Sequence, residues 1–347
     1  MDIREIAKLA RVSTATVSRV LNGVPTVNPK LAKRVLDAAS LRGYVPNTQA
    51  RALVSGKSRT FGLVVSEITN PFFPQIVETF GNLAVANGYE MLLASTGNDL
   101  KRMELAVRRM IERRVDGVAI LTFGMEDSLL ADLRVRKVPL VGVVVGPTVP
   151  GVTNIRIDYR HGIRQAVQHL AALRHQRIAF ITGPLRLMSA MARKTAFEES
   201  MREIGLYAPP ELLMEGDHTV EGGVAALGRL VRLAERPTAI LCSNDMSAIG
   251  VIREAYELQI NVPNQLSVVG FDDIHLAQFI TPPLTTVQMS QSELATLAFQ
   301  ALLAARERPA QTRQSNECVL VTSLVLRKST ALVFGAQPIP RPPDFIS

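Results

Sequence analysis

The apolar positions divide the chain into two unlike parts. Up to Gly43 they recur at helical spacing. Ile3, Ile6, Ala7 and Ala10 form one stripe, opened by Asp2 with Glu5 three residues on, a cap-and-acid pair that begins a helix. Arg11-Val12 then turns the chain. Ser13 is suited to cap the next helix, in which Val17, Val20 and Leu21 fall at i, i+3 and i+4. Thr14, Ala15, Ser18, Arg19 and Asn22 lie on its other faces. They are small or polar, with one guanidinium able to reach a base edge or a phosphate. A third helix has Asn28 as cap, Pro29 at its first position, Leu31, Val35, Leu36 and Ala39 at helical spacing, and Gly43 as its stop. Two short helices joined by a short turn make a helix-turn-helix unit, and a slim second helix can sink into a major groove. The plainer reading of residues 13–22 is an ordinary amphipathic surface helix.

From Phe61 the pattern changes to near-continuous apolar runs alternating with helical stretches. The runs are Phe61–Val65, Tyr89–Ala94, Gly117–Leu121, Leu140–Val145, Ile178–Thr182, Ala239–Cys242 and Leu266–Val269. Such runs predict parallel sheets covered by helices on both faces. A segment of this length predicts two α/β lobes, because single cores stop growing near that size. Ligands in such sheets bind beyond the carboxyl ends of strands. The residues found there are Asn70-Pro71-Phe72-Phe73, Gly183-Pro184, Ser243-Asn244-Asp245 and Gly270-Phe271-Asp272-Asp273. They mix aromatic rings, amides and carboxylates, which suits a small polar ligand with hydroxyls. Taken singly, Asn244 or Asp245 could simply cap a helix, and Asp272-Asp273 could be a turn.

Charge sharpens the division. Residues 1–60 hold 11 Lys and Arg against 3 Asp and Glu, and the rest of the chain holds 28 of each sign. The whole excess of +8 therefore sits in the first sixth of the chain, the footprint of a nucleic-acid-binding head on a neutral body. Between them, Asn47 can cap a short basic segment, Thr48–Ser55, too short to be a stable helix alone. It is either a flexible linker or a hinge that folds on DNA, with Leu53 as a minor-groove wedge.

Composition removes other classes. No apolar run is long enough to cross a membrane and no secretory leader is evident, so a cytoplasmic protein is expected. Cys242 and Cys318 have no metal-ligand spacing and are expected to be reduced; neither a metal nor a cofactor is expected. Gly56-Lys57-Ser58 lacks the first glycine of a phosphate loop, with Arg51 in its place. No dinucleotide fingerprint, nucleophile elbow or zinc-protease pair occurs, and none of the five histidines has a ligand partner at i+4. An enzyme is not expected. An exported solute-binding protein remains the alternative, with the basic head against it.

Residues 6–23, Gly43-Tyr44-Val45-Pro46-Asn47, Asn70-Pro71-Phe72-Phe73, Arg177–Pro184 and Ser267–Asp273 resemble, in order, the lactose-repressor (LacI/GalR) family of bacterial transcription regulators. The resemblance runs from about residue 2 to about residue 330. It implies a small all-α helix-turn-helix DNA-binding head and a two-lobed α/β core, periplasmic-binding-protein-like, with parallel sheets. The implied divisions are 1–46 for the head, 47–59 for the hinge, 60–332 for the effector-binding and dimerisation core, and 333–347 for a disordered tail. It also implies a homodimer on a near-palindromic operator of double-stranded DNA, most simply a repressor, with a small carbohydrate-like effector between the lobes. By analogy Thr14, Ala15 and Arg19 read bases, Ser13, Ser18 and Asn22 hold phosphates, and Leu53 is the hinge wedge. Phe73 stacks on the effector, and Ser189, Arg193, Asn244 and Asp272 hydrogen-bond it.

Three positions depart from the family pattern. Arg11 replaces a common turn glycine, which predicts some strain or a different turn. Val144 stands where many sugar-binding relatives carry Asp, which favours a modified sugar, an acid or another pose. Glu67 replaces a commoner Asp.

Overall fold

The structure is a computed structural model that describes residues 2–21, 26–44, 57–122, 138–143, 152–307 and 317–333. Asn22, Leu53, Val144, most of the 47–59 linker and the tail from residue 334 lie outside the described residues. The chain separates into two compact units, Met1–Arg59 and Thr60–Ser347.

In the first unit α1 (Ile3–Ala10), α2 (Thr14–Leu21) and α3 (Pro29–Leu41) follow the expected order. Each start is set by a side-chain cap. Asp2 accepts from Arg4 N, Ser13 Oγ accepts from Thr16 N at 3.1 Å, and Asn28 Oδ1 accepts from Lys30 N at 2.9 Å. Ile6, Ala7, Ala10, Val17, Val35, Ala38 and Ala39 make the small core. The stripe of α3 is turned from the one its sequence suggests. Ala38 is buried, while Leu36 is 53% exposed, because α3 lays Val35, Ala38 and Ala39 against α1 and α2.

Arg11 ends α1 in the left-handed region, φ 49° and ψ 50°, where glycine is the easier residue. Its N–H reaches the carbonyls of Ala7 and Lys8. The Arg34 guanidinium, from α3, donates to the carbonyl of Ala10 and, at 3.4 Å, to that of Arg11. The turn is kept, with a cation capping the carbonyl end of α1 across the helix pair.

The second unit holds two six-stranded sheets. The first lobe has β1 (Thr60–Val65), α4 (Phe72–Ala86), β2 (Glu90–Ser95), α5 (Leu100–Glu112), β3 (Gly117–Leu121), β4 (Leu140–Val143) and β5 (Thr153–Asp158). The second has α6 (Tyr159–Ala172), β6 (Ile178–Thr182), α7 (Met188–Glu203), β7 (Leu213–Glu215), α8 (Val220–Leu230), β8 (Ala239–Cys242), α9 (Asp245–Glu257), β9 (Ser267–Asp272) and β10 (Thr285–Gln288). The chain then returns through α10 (Gln291–Glu307) and β11 (Glu317–Val321) to the first sheet, and ends on β12 (Ser323–Val325) in the second. The strand orders are β11-β5-β4-β3-β1-β2 and β12-β10-β9-β8-β6-β7. All neighbours are parallel except β12, which runs antiparallel to β10.

The apolar runs all prove to be strands, with ends shifted by a residue or more. β5, β7, β10, β11 and β12 were not evident as runs. β7, β11 and β12 are short or at sheet edges, and β5 and β10 carry polar residues inside the sheet. Thr285 and Thr286 are fully buried because tertiary partners satisfy them: Thr286 Oγ1 donates to Asp245 Oδ1, and Thr285 Oγ1 accepts from Arg327 N. β9 also runs three residues beyond Val269, to Asp272.

The chain crosses between lobes at Asp158-Tyr159, at Gln288–Gln291 and at Thr322. Gly162, in the first turn of α6, is where these crossings meet. Its N–H donates to Thr322 Oγ1, and Thr322 in turn donates to the Asp158 carbonyl at 2.6 Å. A methyl group on Gly162 would overlap Val287 of β10 and Thr322. Gly162→Ala should therefore lower stability by about 1–3 kcal/mol through overpacking, read as a reduced urea midpoint of the full chain.

Candidate DNA-reading helix and effector cleft

On α2, Thr14, Ala15 and Arg19 are exposed and Ser18 is half-buried. Val17 is fully buried and fixes which face is turned out. Ser13 is exposed, but its hydroxyl is engaged: it accepts from Thr16 N and pairs with Thr16 Oγ1 at 2.9 Å. It therefore orders the first turn from which Thr14 and Ala15 project. The outward face carries no bulky apolar group that would hold it off a groove floor.

In the second unit a cleft of about 100 Å³ lies beyond the carboxyl ends of the strands. Ser66, Glu67, Asn70, Phe73 and Asn98 line it from the first lobe, and Arg186, Arg193, Asp217, His218, Asn244 and Asp272 from the second. Of the five expected effector residues, four line it together. Ser189, in the first turn of α7, is buried and is not among the lining residues.

Each lining group is held by local structure. Asn70 Oδ1 accepts from Phe72 N at 3.0 Å, starting α4 so that Phe73 faces the cleft in edge contact with Phe72, ring centres 5.2 Å apart. Asn244 is the cap of α9: Oδ1 accepts from Ser247 N, and Nδ2 donates to the His218 carbonyl at 2.9 Å. Its capping and lining roles coexist.

Arg193 is the centre of the second-lobe wall. Its guanidinium lies 4.3 Å over the Phe271 ring and 5.0 Å from the Tyr159 ring centre. It donates to the Ser243 carbonyl and stands 3.8 Å from Asp272 Oδ1. Asp272 ends β9 at φ 113°, a strained backbone for a residue with a Cβ, and Asp273 follows at φ 55°. The bend is held from behind: Gln291 Nε2 donates to the Asp272 carbonyl at 2.7 Å, and Asp273 takes Gln288 and Arg327. Burial pushes the Asp272 carboxyl up to about 7 despite Arg193 beside it. Asp245, beneath it, is also raised, by burial and by Asp272, although Thr286 and Ile274 N hydrogen-bond it.

Ser66, Asn98, Arg186, Asp217 and His218 were not singled out in the sequence. Ser66 directly follows β1, so the strand-end rule could have included it. Asp217-His218 follows β7, three residues long, and only Thr219 as cap of α8 gave a local signal there. Burial, and Arg193 nearby, lower His218 to about 3, so its ring is neutral. Among the described residues no cluster of His, Cys, Asp and Glu could hold a metal, and no helix is long and apolar enough to cross a membrane.

The Asp272 carboxyl has a folded-state value of about 7, above its ordinary 3.8. It therefore favours the fold when protonated, and that contribution is lost as pH rises through 7. The stability of Asp272→Asn relative to wild type should rise between pH 5 and pH 8, checked by urea denaturation at both. A constant difference would mean that the carboxyl does not titrate in this range.

The first unit matches the model for bacterial regulatory proteins of the lacI family over residues 2–47, and residues 167–330 match a periplasmic binding protein-like domain. The chain is 32% identical to the ribose operon repressor of Escherichia coli (strain K12), over 95% of this chain and 99% of the relative. It is also 32% identical to the HTH-type transcriptional repressor PurR of Glaesserella parasuis serovar 5 (strain SH0165), over 94% and 97%. The crystal structure of the lac repressor dimer bound to operator and the anti-inducer ONPF superposes with a TM-score of 0.85 at 28% identity, covering 95% of this chain and 99% of that one. The chain therefore belongs to the lacI family of bacterial regulatory proteins, with a helix-turn-helix head and a two-lobed periplasmic-binding-protein-like core.

Proposed function

We propose that this protein is a transcriptional repressor that binds a near-palindromic operator as a homodimer and is controlled by a small polar effector, a sugar or sugar derivative, held between its lobes. The observation that carries this reading is the pairing of two sites in one chain. One is a capped, outward-facing α2 on the strongly basic head. The other is a cleft at the strand ends whose walls come from both lobes. Relatives are named as repressors, and one solved relative is a dimer on operator with an anti-inducer.

Phosphate contacts from the head supply affinity, and Thr14, Ala15 and Arg19 supply base choice. Ser13 and Ser18 lie beside them at the phosphate-holding positions, with Asn22 and the wedge Leu53 completing the set. Each head alone is weak, and the dimer gains by linking two half-sites. Effector binding changes the angle between lobes that meet at the three crossings. Because coupling is reciprocal, the operator must alter effector affinity by the factor through which the effector alters operator affinity. Phe73, Arg193 and Asp272 are the contacts assigned to the effector; Asn244 and the buried Ser189 support the wall around them.

Genomic footprinting of the purified protein, with competing sugars, sugar acids and nucleobases, tests this reading. A palindromic footprint weakened or strengthened by one ligand is expected, and no footprint even at low salt would refute it. Arg19→Ala should cost about 1–3 kcal/mol on operator and much less on random DNA, read by titration at fixed salt. Equal losses on both would remove its base-reading role.

A further inference from the structure

Two buried side-chain atoms that line the cleft have no hydrogen-bond partner among the described residues. Ser66 Oγ comes from the first lobe and His218 Nε2 from the second. Neither position is accidental. Ser66 is fixed by its own backbone, whose carbonyl accepts from Thr96 N at 3.2 Å and also from Gly97 N. His218 is held at φ 67°, its carbonyl taken by Asn244, and its ring lies over Gly183, where any Cβ would overlap the imidazole. The fold keeps a glycine at the end of β6 and a left-handed histidine after β7, and the ring occupies the space that the missing Cβ leaves. Leaving buried polar atoms unsatisfied is costly, so a ligand that satisfies both gains from each.

Taking the cleft as the effector site, as above, we infer that Ser66 and His218 are its specificity-determining pair, and that they select a neutral polyol whose hydroxyls on opposite edges bridge the two lobes. The chemistry of both atoms points to hydroxyls. A hydroxyl both donates and accepts, so it satisfies Ser66 and either tautomer of a neutral imidazole. A carboxylate or phosphate only accepts. The surrounding charges point the same way. Arg193 is matched by Asp272, and Glu67 and Asp217 also line the cleft against the exposed Arg186. An anionic ligand would meet three carboxyl groups. This places the effector among plain sugars, against the acid that the Val144 position suggests.

The test is calorimetric titration of the full-length protein with D-ribose, D-glucose and myo-inositol, and with ribose 5-phosphate and glucuronate as their anionic counterparts. Ser66→Ala, His218→Phe and the double variant are titrated in parallel. His218→Phe keeps a ring over Gly183 and removes only the ring nitrogens. A neutral member should bind more tightly than its anionic counterpart. Each single variant should lose about threefold to tenfold in affinity, with an unchanged melting temperature of the unliganded protein. Mono-deoxy analogues of the bound sugar add a readout that a packing role would not move: the analogue lacking the hydroxyl that meets Ser66 should bind wild type and Ser66→Ala alike. Unchanged affinity in both variants, with wild type still binding a neutral sugar, overturns the assignment of the pair and leaves the effector site standing. Tighter binding of an anionic member overturns the neutral class. No binding of any member to wild type overturns this inference and removes support for a sugar effector as well.

Discussion

The buried guanidinium of Arg193 is the constraint around which the effector unit is arranged. Taking a cation out of water costs several kcal/mol, so it must be met on all sides. In this unit it is met by the faces of Phe271 and Tyr159, the carbonyl of Ser243 and the carboxyl of Asp272. These groups come from the end of β8, the end of β9 and the start of α6. The Asp272 contact alone would not suffice. Burial outweighs the attraction of Arg193 and raises that carboxyl to about 7, so near neutrality its compensating charge is incomplete. The rings and the carbonyl supply what it does not.

That arrangement links the cleft to the interlobe crossings. Tyr159, under the guanidinium, is the first residue after one crossing. Gln291, which holds the Asp272 carbonyl, follows another, and Arg327, which holds Asp273, lies just past the third. The strained turn at Asp272-Asp273 thus touches a ligand wall on one side and the crossings on the other. Strain of about 1–3 kcal/mol persists at such a place only where neighbours over-determine it. A change at the wall is then felt where the lobes join, without any long chain of intermediates.

The head solves a related problem with fewer residues. Its core is seven small or medium apolar side chains, so its helices depend on their caps. Arg11 in a left-handed turn would weaken it, and Arg34 reaching across from α3 to the end of α1 offsets that. The departure from glycine is local, and the compensation is 23 residues away in sequence.

Period and charge along the chain determined the three head helices, their caps, the seven apolar strands, the parallel two-lobed architecture and the basic head. These are properties of neighbours within a few residues, and spacing records them directly. Phe73, Arg193, Asn244 and Asp272 were legible too, because strand ends and family motifs mark them. Tertiary structure alone decided the rest. It buried Ser189 away from the cleft and turned Leu36 outward. It made strands of β5 and β10 by giving their polar residues distant partners. It brought Ser66 and His218 to face one cleft from different lobes. A polar residue inside a sheet, or a histidine laid over a glycine some 35 positions earlier (Gly183 and His218), has no local signature. Its stability comes from atoms that only the folded chain brings within hydrogen-bonding or van der Waals distance.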